Sequence, residues 1–164
     1  MIESDQRFTP QHVLDVVREF DRIVLDPCTV ESNPVGAHLA IIPPNGCGLS
    51  ICWSGLIADA ADHIGVTFVN HPYSRGHAQK WAEKCVTEWE RNSVEIITLS
   101  IADTSTRACR FMLERATAAA FWKKRIRFAG DASAKFPNVS FYLGERQGRF
   151  KRVFEPHATV LVLR

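Results

Sequence analysis

Asn70, His71, Pro72 and Tyr73 form a tetrapeptide whose residue types suit transfer of a methyl group to an exocyclic amine. An Asn side-chain oxygen and the carbonyl of the next residue can both accept from one NH₂ group, which aims the nitrogen lone pair out of its plane toward an electrophile. Pro72 fixes φ and stiffens the turn. The Tyr73 ring offers a face on which a flipped-out base can stack, as enzymes acting on bases in duplex DNA require. The plainer reading is an ordinary strand-to-loop turn, since Asn and Pro are common in turns.

The elements around this turn bear on the choice. Residues 66–69 read as a β-branched strand running straight into it. Upstream, Thr9 reads as a helix N-cap and Pro10 as a first-turn residue, with Val13, Val16, Val17 and Phe20 following at helical spacing. Residues 22–28 read as a short strand ending in Asp26, Pro27 and Cys28. Ligands of open α/β sheets sit beyond the carboxyl ends of strands, so Asp26 and Asn70 are expected to face a common crevice.

In this collinear order the chain resembles the Dam-like DNA N6-adenine methyltransferases of bacteriophages and prophages. The matching motifs are Thr9-Pro10, Leu25-Asp26-Pro27-Cys28, Asn70-His71-Pro72-Tyr73, Asp103-Thr104, Arg125-Ile126-Arg127-Phe128 and Phe136-Pro137, spread over most of the chain. The resemblance implies a single-domain Rossmann-like α/β methyltransferase over residues 1–164, with S-adenosylmethionine as methyl donor and DNA as partner. It implies that Asn70 and the His71 carbonyl orient the amine, Tyr73 stacks the base and Pro72 holds the turn. Thr9, Pro10, Asp26, Pro27, Cys28 and Asn70 would border the cofactor. Neither a metal nor a covalent intermediate is implied. Adenine as acceptor rests on the resemblance; cytosine N4 or RNA would keep the fold and change the substrate.

Three features depart from the family pattern. His71 replaces the first Pro of the tetrapeptide, no Gly-X-Gly follows the first strand, and Cys47 in Asn45-Gly46-Cys47-Gly48-Leu49 stands where the family tends to carry an acid. They define an alternative, a DNA-binding relative that has lost catalysis. A nucleophilic Cys28 would instead suggest pyrimidine C5 methylation, for which the Asp-Pro-Cys order is unsuited.

Composition narrows the classes further. A chain of 164 residues, 46% hydrophobic with four Trp and ten Phe, can bury a core and is not disordered. Its apolar runs fall short of the roughly 20 residues of a membrane helix, and the N-terminus lacks a signal-peptide layout, so a cytoplasmic protein of a bacterial host cell is expected. The five cysteines form no Cys-X-X-Cys, and His12, His38, His63, His71, His77 and His157 show no zinc-like pairing; no metal site is expected.

The net charge of +2 says little about nucleic acid, but its distribution says more. Lys123, Lys124, Arg125 and Arg127 form one cluster, and Arg146, Arg149, Lys151 and Arg152 another, interleaved with Phe121, Trp122, Phe128, Phe150 and Phe154. Residues 121–158 are therefore the expected DNA-contact part, the cations on phosphates and the aromatics against bases. The competing reading is strand alternation, with cations outside and aromatics inside. With no length to spare for a recognition domain, short loops must read the target, which implies a short or relaxed recognition sequence.

The remaining pattern predicts helices over residues 76–91 and, capped by Asp103, to about residue 118. It predicts strands over 93–99, 121–128, 139–143 and 159–163, the last three joined by hairpins with turns at Gly130-Asp131, Gly144 and Gly148. The sheet is expected to be mixed, with a parallel core and antiparallel edge strands. Residues 29–65, rich in Gly and Pro, are expected to form a compacted or partly flexible cofactor lid without a long helix.

Overall fold

Every residue of β1 (Ile23–Asp26) and β3 (Val66–Val69) is buried, the pattern of strands covered on both faces by helices. The structure, a computed structural model, describes residues 8–60, 64–73, 76–128 and 135–164. His63, Ser74, Arg75 and the expected Gly130-Asp131 turn lie outside the described residues.

β1 pairs in parallel with β2 (Leu39–Ala40) on one side and β3 on the other, and β3 pairs in parallel with β4 (Ile96–Thr98). β7 (Asn138–Leu143) then lies antiparallel to β4, β6 (Ala118–Trp122) antiparallel to β7, and β8 (Ala158–Val162) antiparallel to β6. The short β5 (Ser100–Ile101) pairs with the start of β7, and the order across the sheet is β2-β1-β3-β4-β7-β6-β8. The expected α/β class, parallel core and antiparallel strands toward one edge are all present.

Helices cover both faces. α1 (Gln11–Phe20) and α5 (Gln147–Phe154) close one of them, where Tyr142 stacks on Phe150 at 4.9 Å and Phe150 on Phe154 at 4.2 Å. Such ring pairs contribute about 0.5–1.5 kcal/mol beyond their buried area. Ala118 and Ala120 of β6 face the same cluster. The other face carries α2 (Trp53–Ala58), α3 (His77–Asn92) and α4 (Arg107–Arg115), with Trp81, Cys85 and Met112 against Val69, Ile96 and Phe141. No helix among the described residues is long and apolar enough to cross a membrane.

Three elements differ from the sequence expectation. The helix expected from Asp103 begins later, because Thr106 is its N-cap and accepts from the Cys109 N–H at 3.3 Å. Asp103 instead takes the Ser105 N–H at 2.9 Å and closes the turn before it. The strand expected over 121–128 lies at Ala118–Trp122, since register with Phe141 and Leu161 outweighs the weak strand preference of alanine. Finally, β7 and β8 are joined by α5 and do not pair; each pairs with β6. Only eight residues long, α5 buries Phe150, Val153 and Phe154 on one face, too brief a period to stand out, and Gly148 in its first turn reads as a turn residue.

Candidate functional site

The chain leaves β1 for β2 on one side and later returns to β3 on the other, so the strand order reverses between β1 and β3. Open α/β sheets bind ligands at such a reversal, beyond the carboxyl ends of the strands. Asp26 ends β1 and Asn70 directly follows β3, so the two expected residues stand at the carboxyl ends of adjacent strands.

Asp26 is 4% exposed and accepts the Cys28 N–H at 3.1 Å. Burial raises its carboxyl from the ordinary 3.8 to about 6 against the pull of that N–H. Thr29, also buried, lies beside the carboxyl, but its hydroxyl makes no hydrogen bond of good geometry. Cys28 lies against both the Asp26 carboxyl and the Asn70 backbone. Burial, reinforced by Asp26, holds it firmly as a thiol, the reverse of what a nucleophilic cysteine needs. Pro27 is buried at the turn between them.

Asn70 is tied at both ends of its side chain. Its Nδ2 donates to Thr9 Oγ1 at 2.9 Å, and its Oδ1 accepts from the Tyr73 hydroxyl at 3.1 Å. Thr9 is thus not a helix cap: Pro10 occupies the N-cap position of α1 without a side-chain bond, and the Thr9 hydroxyl serves Asn70. Tyr73 also reaches the Leu99 carbonyl at 3.3 Å and packs edge-on to Phe128 and His71. The His71 ring is buried, with Nδ1 2.9 Å from the Pro72 carbonyl oxygen, and burial holds its basicity below the usual imidazole range. Beside the turn lies a mainly apolar hollow of about 240 Å³, lined by His71, Tyr73, Trp81, Met112 and Phe141.

Sequence reasoning missed what closes the crevice from the other side. Gly48 presses on the end of β1 so closely that a Cβ there would stand 2.0 Å from the Pro27 carbonyl oxygen. The Gly48 carbonyl accepts from Trp53 Nε1 at 2.8 Å, Trp53 stacks on Trp81, and buried Glu88 accepts the Trp53 N–H at 3.2 Å. Lys84 and Asn92 complete the Glu88 partners. The segment expected as a lid is therefore bolted to α3 through α2. The signal was the Gly-Cys-Gly spacing, since glycine often marks a close backbone approach.

The two basic clusters separate. Lys123, Lys124, Arg125 and Arg127 follow β6 at the carboxyl end of the parallel strands and are exposed, while Ile126 and Phe128 turn inward. Lys123 Nζ donates to the Glu155 carbonyl at 2.9 Å and Arg125 to the Lys135 carbonyl at 3.3 Å. Arg146 lies at the opposite end, because Leu143 pairs with Ile96 at the start of β4. It binds Asp21 Oδ2 at 2.6 Å and Glu95 Oε1 at 2.9 Å, and lies over the Phe20 ring. Arg149 donates to the Phe20 carbonyl at 2.7 Å. Lys151 and Arg152 are exposed on α5. The expected interleaved aromatics Phe128, Phe150 and Phe154 are core residues, the first beyond the end of β6 and the other two on the inner face of α5, so helix packing and not strand alternation buries that pair.

Among the described residues no group of three or more His, Cys, Asp or Glu is placed to hold a metal ion. Fold and site define an open α/β protein with Asp26 and Asn70 at the reversal of strand order. No protein-family model matches the chain, and no curated protein matches it in sequence.

Proposed function

We propose that the protein transfers a methyl group from S-adenosylmethionine to an exocyclic amine of DNA, the N6 of adenine. The observation that carries this reading is the placing of Asp26 and Asn70 at the strand ends on either side of the reversal point, with Cys28 against both and Thr9 and Tyr73 hydrogen-bonded to Asn70. The resemblance to Dam-like methyltransferases supplies the acceptor base.

The residues fit the amine-bearing end of that cofactor: a buried carboxyl and the under-partnered Thr29 hydroxyl suit an ammonium donor. When bound, S-adenosylmethionine supplies the electrophilic methyl group. In this reading Asn70 Oδ1 and the His71 carbonyl accept from the target amine and hold its lone pair toward the methyl. Thr9 and Tyr73 keep the carboxamide from rotating. The hollow beside Tyr73 receives the extruded base, apolar walls with few polar groups being the usual form of a ring-binding site. Catalysis is then orientation in a preorganised polar site.

One observation favours a second reading, a DNA-binding relative without catalysis. β2 ends at Ala40 and continues into Ile41 and Ile42, with no carboxylate where dinucleotide-type crevices hold the ribose. Two measurements separate the readings. Labelled methyl transfer to unmethylated DNA is expected for the wild type and not for Asn70→Ala; equal incorporation would sink the site assignment. Cofactor at a hundred times its dissociation constant should stabilise the protein by roughly 2.7 kcal/mol. DNA binding with no such shift at millimolar cofactor selects the second reading.

A further inference from the structure

β8 is the last strand of the sheet, and among the described residues no strand pairs with its outer side. Its bonds to β6 fix which backbone groups face outward. The Leu163 N–H donates to the Thr117 carbonyl at 2.9 Å and the Lys123 N–H to the His157 carbonyl at 3.1 Å, in register with the pairs Leu161–Ala119 and Thr159–Phe121. Bonded pairs recur at every second residue of an antiparallel ladder. Thr159, Leu161 and Leu163 therefore bond inward, and Val160 and Val162 point their N–H and C=O groups away from the sheet. Leu161 is 47% and Val162 54% exposed, on opposite faces of the strand. Natural edge strands are blunted by charges, prolines or bulges. Residues 158–163 carry no charge and no proline, and the pairing with β6 runs through five residues without a bulge. Such an edge is built to be covered by another strand.

The strand is complementary to itself when reversed. We propose that a second copy of this chain lays its β8 antiparallel to this one about a two-fold axis, joining the two sheets into one. With Leu161 on the axis, Leu161 meets its own copy, Val160 meets Val162, and Thr159 meets Leu163. The outward N–H and C=O groups of Val160 and Val162 then satisfy each other. The charges of α5 suit the same arrangement. Arg149 donates to the Phe20 carbonyl, so its flank of α5 faces α1, whereas Gln147 donates to the Arg164 carbonyl at 3.3 Å, so the opposite flank lies over the end of β8. Lys151, four residues after Gln147, shares that outer flank and is exposed. Glu145, also exposed, stands before the start of the helix. A two-fold axis reverses the second α5, which sets the Glu145 end of each helix beside the Lys151 end of the other. The edge is remote from β1 and β3 in the strand order, so the dimer leaves Asp26 and Asn70 uncovered.

Sedimentation of the full chain from micromolar to millimolar concentration, without DNA, is expected to show a monomer–dimer equilibrium. Hydrogen exchange should show the Val160 and Val162 amides protected in concentrated samples and exposed on dilution, with Leu161 and Leu163 protected throughout. Val162→Pro removes one outward N–H, breaks no bond to β6, and should weaken the dimer roughly tenfold or more. Leu161→Lys sets two ammonium groups against each other on the axis and should do the same; it decides the matter if Val162→Pro fails to fold. Glu145→Lys should also weaken the dimer, and adding Lys151→Glu to the same chain should restore it. A chain that stays monomeric at millimolar concentration, its edge bare or kept for a foreign strand, overturns the proposal. So does a dimer whose Val160 and Val162 amides stay unprotected, or one that folded edge variants leave unchanged.

Discussion

The Thr9 hydroxyl accepts the Asn70 side-chain N–H at 2.9 Å across 61 residues of chain, which makes the entry to α1 and the exit from β3 one polar unit. Thr9→Val keeps the shape and removes the acceptor, freeing the carboxamide to rotate. Methyl transfer should fall roughly ten- to a hundredfold, the range of one hydrogen bond important in the transition state. Thr9→Ser should recover most of the rate, and cofactor-induced stabilisation should persist in both variants. A Thr9→Val protein that transfers methyl at the wild-type rate would remove Thr9 from the proposed site.

Asp26 links the crevice to pH. Its carboxyl, raised to about 6, binds a proton more tightly in the folded chain than in the unfolded one. Its contribution to stability is therefore full below about pH 4 and is lost as pH rises through about 6. Asp26→Asn cannot titrate and keeps an oxygen for the Cys28 N–H. In urea unfolding the variant should be more stable than wild type at pH 7.5, by on the order of 3 kcal/mol, with the gap closing toward pH 4. A gap independent of pH contradicts the raised carboxyl.

The separation of the basic clusters predicts an asymmetric effect on DNA binding. Lys124 and Arg127 stand at the same end of the sheet as Asn70, whereas Lys151 and Arg152 lie on α5. Replacing the first pair with Gln should weaken DNA binding and lower the slope of log K against log salt by about two. Replacing the second pair should change the slope much less. Equal losses from both pairs would place DNA across α5 as well.

Arg146 acts as a fastener in this structure. It joins the turn before β1, the start of β4 and the entry to α5 through Asp21 and Glu95, with the Tyr142 hydroxyl also on Glu95. Arg146→Ala leaves both carboxylates without their cation, and since the guanidinium is partly exposed the expected loss is about 1–3 kcal/mol in urea unfolding. Any loss of DNA affinity should disappear under conditions where the variant is fully folded. A fully folded Arg146→Ala protein that still binds DNA poorly would restore a direct contact.

Local signals carried much of the fold. The β-branched runs ending at Asp26 and Asn70, the apolar periods of α1 and α3, and the placing of acid and amide beyond strand ends are short-range properties, and each appears in the structure. The helix α5 did not show, because eight residues with a glycine in the first turn hold too little period to tell from a hairpin. Nor did the position of β6, whose alanines carry no strand preference and take their register from Phe141 and Leu161.

The sequence by itself determined which chemistry-bearing residues exist and that Asp26 and Asn70 stand where buried strands stop, since a strand's apolar run and the turn that stops it are written in adjacent residues. Only the tertiary structure decided partners: Thr9 for Asn70 and not for its own helix, Gly48 against Pro27, and Arg146 for Asp21 and Glu95 at the far end of the sheet. A hydroxyl or a guanidinium can satisfy many partners equally well. Which one it meets depends on strand order and packing between segments distant in the chain, and no local spacing encodes that choice.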